Sequence, residues 1–347
     1  MKLNEKIKNE NFSKDCFNSN PKDLILIKDL IKDSLIYYCL DNKFCVFKSI
    51  NDILILIYVN QANSIISFNL IDEKIINEIN RPHKDLITNL RYYLDAINKR
   101  DLILSISADD NNIKLWNINN FECLYDFNNI NQKGKIYSAC FLFDNNEIYV
   151  LTSNANWGDE FESIKVFDLN GNKISEINDS NEYTICIISY FDINLFNNYI
   201  ITGNKGYIKS YSYKDNKVYH TYSYNDYNNH NSIIVYDNKE IIQIIESSSS
   251  GNIGIWNFHS GELLNKIETD NGLFGICLWN NDYLLAGSDK TIKIIEIKTR
   301  VIIDEILEGN DLVLTIKKIK LPKYGECLLS ADITNNIKLY ANKNALQ

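Results

Sequence analysis

One short pattern of apolar and polar positions recurs along the chain. It begins with isoleucine, usually continues with lysine or a small residue and then an apolar residue, and ends on an aromatic residue in six of its seven instances. The instances are residues 65–68, 113–116, 164–167, 208–211, 253–256, 292–295 and 337–340. Their last residues are separated by 48, 51, 44, 45, 39 and 45 positions. This spacing predicts seven structural repeats of one kind, numbered 1 to 7 in chain order.

Further short apolar runs surround the recurring phrase. In repeat 2, an apolar run over residues 102–107 ends at Asp109 and Asp110 before the phrase, and another run follows over residues 122–127. Apolar residues that alternate at a period of two indicate β-strands, and Gly, Asn and Asp mark the turns. Four short strands in about 45 residues are typical of a propeller blade. The sequence therefore predicts an all-β fold, a seven-bladed β-propeller of four-stranded antiparallel blades.

Composition and charge limit the kinds of partner that we expect for this fold. The chain has 347 residues, of which 45% are hydrophobic, so it can bury a sizeable core. The formal net charge is −9, and the only dense basic stretch runs from Lys317 to Lys323. Nucleic acid and anionic membrane are therefore not expected as partners. A basic patch that forms only in the folded chain is the alternative that the sequence leaves open.

Cysteine usage and the apolar runs predict the compartment. The eight cysteines are scattered without a C-x-x-C pair, which favours reduced thiols over disulfides. The first ten residues are polar and charged, and the longest apolar run, residues 53–59, is far shorter than the ~20 residues of a membrane-spanning helix. We therefore expect a cytoplasmic protein, with the nucleus as the alternative, that is a monomer on its own.

The sequence offers little support for catalysis. The four histidines, His83, His220, His230 and His259, lack metal-ligand spacing with cysteines or carboxylates. Neither G-x-x-x-x-G-K-[ST] nor G-x-G-x-x-G occurs, so no phosphate-cradling loop is predicted. We therefore expect no metal, no cofactor and no enzymatic activity.

The repeats resemble those of the Trp-Asp (WD) repeat family over residues 35–347. The clearest matches are residues 110–117 in repeat 2 and residues 287–293 in repeat 6. The namesake Trp-Asp pair is degenerate, since Trp116 is followed by Asn and Trp256 is also followed by Asn. The seven-fold spacing is therefore a stronger sign of the family than any single repeat.

The resemblance implies that a strand from the far terminus closes the ring. Residues 24–27 and residues 35–40 are both candidates for the strand that completes the seventh blade, and the sequence does not choose between them. A short docking helix over residues 23–33 is a further alternative. The predicted organisation is a flexible extension over residues 1–20 and one propeller over residues 21–347.

In this family, a loop His, a strand Ser or Thr, a turn Asp and a strand Trp form a buried hydrogen-bond network within a blade. The matching residues are His83, Ser105 or Ser107, Asp110 and Trp116 in repeat 2, and His230, Ser247 or Ser248, Ser250 and Trp256 in repeat 5. In repeat 7, Asn310 takes the place of the loop His. A hydrolytic triad is the competing interpretation of the repeat 2 residues. The structural role is favoured, because no G-x-S-x-G nucleophile elbow accompanies them.

One loop departs from the repeat pattern and is the candidate binding feature. Residues 154–163 combine the aromatic Trp157 and Phe161 with acidic residues that include Asp159 and Glu160. These aromatics either anchor a partner or fold back onto the neighbouring blade. By resemblance, the loop opens on the same face as the loops that enter successive repeats. That face would gather Leu86, Trp157, Tyr183, Phe274 and Leu312.

Apolar side chains ringed by acids suit a protein or peptide partner with basic and apolar residues. The resulting prediction is a non-catalytic, protein-binding scaffold or adaptor. The rivals are a propeller that uses its central channel as an enzyme or small-molecule-binding protein, and the regulatory propeller of a larger modular protein. Fold alone does not select among these functions.

Overall fold

A computed structural model of the chain describes residues 19–34, 43–128, 135–155, 163–224, 227–237, 239–334 and 336–346. Across these residues the fold is all-β, and its only helical elements are two short 3-10 turns, Pro21–Asp23 and Lys343–Leu346. None of the described segments contains a helix long and apolar enough to cross a membrane. The predicted all-β class is confirmed.

The strands of the described residues follow one another with short turns. In the first half of the chain they are β1 (Leu24–Ile31), β2 (Phe44–Lys48), β3 (Leu54–Val59), β4 (Ile65–Asn69), β5 (Lys74–Ile79), β6 (Asn89–Asp95), β7 (Arg100–Ser107), β8 (Asn112–Asn117), β9 (Glu122–Asp126), β10 (Lys135–Asp144), β11 (Glu147–Ala155), β12 (Lys165–Asp168) and β13 (Lys173–Glu176). In the second half they are β14 (Thr184–Asp192), β15 (Asn197–Asn204), β16 (Ile208–Ser212), β17 (Lys217–Tyr222), β18 (His230–Asp237), β19 (Ile242–Ser248), β20 (Asn252–Asn257), β21 (Leu263–Glu268), β22 (Ile276–Leu278), β23 (Tyr283–Gly287), β24 (Asp289–Glu296), β25 (Val301–Leu321), β26 (Gly325–Asp332) and β27 (Ile337–Asn342).

Most of these strands form four-stranded antiparallel sheets of sequential strands: β2–β5, β6–β9, β10–β13, β14–β17 and β18–β21. The remaining strands form one sheet of order β1-β27-β26-β25-β24-β23-β22. This sheet contains two groups of four strands that share the long strand β25: β22 to β25, and β25, β26, β27 and β1. Residues 301–312 of β25 pair with β24, and residues 313–321 pair with β26. The predicted four-stranded antiparallel sheets are confirmed, and each recurring phrase lies on the third of the sequential strands, apart from Ile164, which directly precedes β12.

The first strands of successive groups contact one another. β2 contacts β6, and the contacts continue through β10, β14, β18 and β22 to β25, which contacts β2 in turn. Hydrophobic clusters fill the spaces between neighbouring groups. One cluster joins the first group to the last, since Phe44 and Leu56 pack with Leu329 and Leu339. The core is therefore a series of apolar layers between sheets.

The N-terminal strand β1 is the outer neighbour of β27. Its register runs antiparallel from Leu24 opposite Asn342 to Ile31 opposite Ile337. Of the two candidate runs, residues 24–27 lie in this strand, and residues 35–40 fall outside the described residues. The alternative of a docking helix over residues 23–33 is wrong, because the segment obtains its hydrogen bonds from β27. Most of the extension predicted over residues 1–20 also lies outside the description.

Candidate functional site

The predicted partner-binding face is only partly covered by the described residues. Leu86, Tyr183 and Leu312 are half-buried, and the Tyr183 ring lies 6.2 Å from the ring of Tyr137. Phe274 is 6% exposed and belongs to the core cluster against which Leu312 packs. Phe274 therefore offers little side-chain surface to a partner. Its aromatic character at a loop entry reflects packing and not exposure.

Most of the loop that distinguishes repeat 3 falls outside the described residues. Trp157, Asp159, Glu160 and Phe161 are all within residues 156–162, so the choice between anchoring a partner and folding back stays a prediction. The described side chain at the end of the loop is that of Ser163, whose hydroxyl donates to Glu176 at 3.0 Å.

In repeat 2, the structure brings four predicted residues into one hydrogen-bonded chain. Trp116 Nε1 donates to Ser105 Oγ at 2.9 Å, and Ser105 Oγ lies 2.7 Å from His83 Nε2. His83 Nδ1 lies 3.3 Å from Asp110 Oδ2. Ser107, the alternative strand residue, has no hydrogen-bond partner for its buried hydroxyl among the described residues. Ser105 is therefore the member that connects the loop to two strands.

The environment of these four hydrogen-bonded side chains suits a structural role. Burial lowers the pKa of His83 to about 4, although the nearby Asp110 opposes the shift. His83 is therefore neutral at pH 7, so Nδ1–H can donate to Asp110 while Nε2 accepts from Ser105. The Ser105 side chain is fully buried, so a substrate could not reach its hydroxyl in this structure. The geometry favours a structural hydrogen-bond network that links strands over a hydrolytic triad.

Repeat 5 builds its network from different residues than the sequence suggested. Glu246 faces Gly254 across β19 and β20, just as Ser105 faces Lys114 in repeat 2. The carboxylate lies 2.9 Å from His230 Nδ1 through Oε2, and it accepts from the hydroxyl of Tyr224 through Oε1. The prediction that Ser247 or Ser248 joins the network was therefore wrong, because the residue in this place is Glu246, one and two positions earlier.

Glu246 replaces the strand serine in a fully enclosed site. His230 and Glu246 are both 0% exposed. The Trp256 ring lies 4.9 Å from the ring of Tyr224. Ser247 bonds to the Phe274 carbonyl, and Ser248 to Ser250 at 2.7 Å. In repeat 2, Ser105 lies two residues after the residue that pairs with Trp116. Glu246 likewise lies two residues after Ile244, which pairs with Trp256. This equivalent position could have identified Glu246.

Repeat 7 uses a buried carboxyl in place of the loop histidine. Glu308 precedes Ser330 by 22 residues and accepts a hydrogen bond from it, and the same separation joins His83 to Ser105. Lys338 Nζ donates to the Glu308 carbonyl oxygen and, at 2.9 Å, to Asp332. The sequence placed Asn310 at this position, two residues away. Burial raises the pKa of Glu308 to about 7.

This raised pKa makes stability depend on pH. Because the folded chain holds the Glu308 proton more tightly than the unfolded chain, the contribution is fully present below the ordinary pKa of 4.5 and is lost as pH rises through about 7. Glu308→Gln is therefore expected to raise the free energy of unfolding by on the order of 2 kcal/mol at about pH 8, and to change it little below about pH 4.5.

Urea unfolding across this pH range measures the effect. Asp304→Asn provides a control on the same strand, because Asp304 is exposed. Its pH profile should run parallel to that of the wild type. A Glu308→Gln profile that is also parallel to the wild type would contradict the assignment.

The described residues contain no group of three or more His, Cys, Asp or Glu side chains that could hold a metal ion. No protein-family model matches the sequence, and the comparison with curated proteins found none that matches. The family resemblance therefore rests on the repeat spacing and the strand networks alone.

Proposed function

We propose that the chain is a closed, seven-bladed propeller of the WD-repeat kind and acts as a non-catalytic scaffold that binds a protein or peptide. The observation that carries this proposal is the series of contacts from β2 through the first strands to β25 and back to β2. If the two groups that share β25 are counted separately, seven four-stranded blades result. β1 then supplies the outer strand of the last blade.

The hydrogen bonds and burial of the polar residues support a binding function over catalysis. His83, Ser105 and Trp116 are all engaged in holding strands together. In repeat 5, His230 and Glu246 are likewise enclosed. Residues of the loops remain available to a partner. A propeller holds such loops on a rigid frame, which favours recognition of a partner with little ordering cost.

The face at the loop entries is the proposed binding surface. Leu86, Tyr183 and Leu312 are half-buried there, and each can add apolar contact area without being fully exposed to solvent. The proposed partner is a segment with apolar and basic residues, since the chain carries a net charge of −9. The proposal includes a cytoplasmic monomer, and the loop with Trp157 and Phe161 as part of the surface.

Affinity capture from the native cell, followed by crosslinking mass spectrometry, tests this proposal. Trp157→Ala with Tyr183→Ala is expected to reduce capture of the partner at least about tenfold, because aromatic contacts dominate such interfaces. The control is Ile193→Ala with Phe196→Ala. Those exposed residues follow the opposite end of β14 from Tyr183, so the control should capture the partner normally. Normal capture by the first variant, or loss in the control alone, would refute the proposed face.

A further inference from the structure

A groove of about 540 Å³ is lined by the third sheet (β10–β13) and the fourth sheet (β14–β17). Its lining comes from β13, from the turn between β10 and β11, and from the turns between β14 and β15 and between β16 and β17. The turn between β14 and β15 lies at the opposite end of β14 from Tyr183. The volume falls within the roughly 300–1,000 Å³ of small-molecule sites, so the groove has room for a small ligand.

Phe196 lines this groove, and two of its features cost stability. It is 75% exposed, and its backbone φ is +48°, in the left-handed region that disfavours bulky residues. In the corresponding turns of other sheets, the residues with positive φ are polar: Asp52, Lys99, Asn146 and Lys239. The turn therefore does not require an aromatic residue, and a role in binding accounts for both costs.

The turn that carries Phe196 is held in place by hydrogen bonds of its own. The buried Asp192 accepts the backbone N–H groups of Asn194 at 2.8 Å and of Leu195 at 3.3 Å through Oδ1. The residue after Phe196, Asn197, is 8% exposed and begins β15. A ring on such a fixed turn offers contact area with little ordering cost on binding.

Amide side chains supply hydrogen-bonding groups to the lining. Asn145 Nδ2 donates to Asp144 Oδ2 at 2.8 Å. Asn216 Oδ1 accepts from the backbone N–H of Asn178 at 2.9 Å. These bonds orient the two amides and leave Asn145 Oδ1 and Asn216 Nδ2 without a hydrogen bond to any described residue. The lining therefore offers an acceptor and a donor to a ligand.

Tyr213 adds a further donor to the lining. Burial raises the pKa of Tyr213, and the negative charge of Asp144 raises it further. The phenol is therefore protonated at pH 7 and can donate a hydrogen bond. Asp144 itself accepts from Asn198 Nδ2 at 2.9 Å, which holds its carboxylate in position.

The lining is polar, and its charges are balanced. Seven of the ten described residues that line the groove carry polar side-chain atoms, so the lining is poorly suited to an apolar side chain of a protein partner. The charged residues among these ten are one acid, Asp144, and one base, Lys214. A ligand with a net charge would gain little from this balance, whereas a neutral ligand rich in hydroxyl groups matches the lining.

We infer that this groove binds a neutral saccharide. Each sugar hydroxyl is both a donor and an acceptor, so it can pair with the amides of Asn145 and Asn216 and with the hydroxyl of Tyr213. The C–H face of a sugar ring is apolar and would pack on the exposed ring of Phe196. Ile174, which is 51% exposed in the lining, would add apolar contact. The inference goes beyond the proposed scaffold function and does not depend on the partner-binding face.

A glycan array probed with the full-length protein tests the inference. The array carries neutral mono- to tetrasaccharides, and an array of random peptides is probed in parallel. Retention on a subset of the neutral glycans is expected, and the free sugar should bind saturably in isothermal titration calorimetry with a dissociation constant below about 10 mM. No retention on any neutral glycan would overturn the inference, and peptide retention that Phe196→Asn removes would assign the groove to a protein partner instead.

Two matched variants locate the binding. Phe196→Asn introduces a residue type that tolerates positive φ, so the melting temperature should stay unchanged or rise. Loss of the ring should weaken sugar binding about tenfold. Ile193→Asn makes a similar change at a 52% exposed position of the same turn, outside the lining, and should leave the dissociation constant within about twofold. Unchanged binding in Phe196→Asn, or equal weakening in both variants, would overturn the site.

Discussion

Replacing Leu24 and Ile31 together by serine is expected to lower the free energy of unfolding by about 4–10 kcal/mol, a large part of the stability of the fold. The two residues are 5% and 6% exposed at the ends of β1. Leu24 packs in the cluster that holds Trp279 and Ile316, and Ile31 packs in the cluster that joins the first and last groups of strands. Each substitution should cost about 2–5 kcal/mol, and the whole fold is worth only about 5–15 kcal/mol.

The same strand provides the control. Ile25 and Leu26 are 41% and 49% exposed, so Ile25→Ser with Leu26→Ser makes a similar chemical change without opening a core. Thermal unfolding monitored by circular dichroism should show a melting temperature near that of the wild type for the control. Similar melting temperatures for both double variants would mean that β1 does not hold the first and last sheets together.

Replacing Gly254 by alanine should strongly destabilise repeat 5. A Cβ at this position would lie 1.7 Å from the Tyr224 hydroxyl, 2.5 Å from Trp256 Nε1 and 2.6 Å from Glu246 Oε1. The network would have to move apart, which leaves buried polar atoms without partners. We expect a loss of about 2–4 kcal/mol in the free energy of unfolding, measured by urea denaturation.

Gly325 separates this steric effect from the general cost of replacing a strand glycine. It has a φ of +67°, and an added Cβ would meet nothing within 4 Å. Gly325→Ala should therefore cost only the backbone strain of about 1–2 kcal/mol. Tyr224→Phe combined with Gly254→Ala should recover part of the loss, because it removes the hydroxyl that the methyl group strikes. A Gly254→Ala variant as stable as Gly325→Ala would contradict the crowded geometry.

The strands were predictable from the sequence because their signal is local. The recurring phrase needs no knowledge of distant residues, since alternation at a period of two and turn residues specify a hairpin by themselves. The network of repeat 2 was equally accessible, because His83, Asp110 and Trp116 lie at the spacings of a known pattern.

The errors arose where a residue of another type fills the same place in space. Glu246 and Glu308 perform tasks that the pattern assigns to serine and histidine, and no local rule predicts a buried carboxyl there. The pairing register of the strands determines which side chain faces the network, and a shift of the register by one residue places a different side chain there. Phe274 shows a related limit, because an aromatic residue at a loop entry can turn inward or outward with the same local sequence.

The pairing of β1 with β27 also imposes an order of events during synthesis. β1 leaves the ribosome before the other described strands, and its partner β27 is the last of these to emerge. The sheets between them can pair locally as each is made, whereas β1 must wait with its edge unsatisfied until β27 has been made. The pairing of β1 can therefore form only after β27 has emerged. During this interval the nascent chain exposes the apolar surface of its first sheet that later packs against the last sheet.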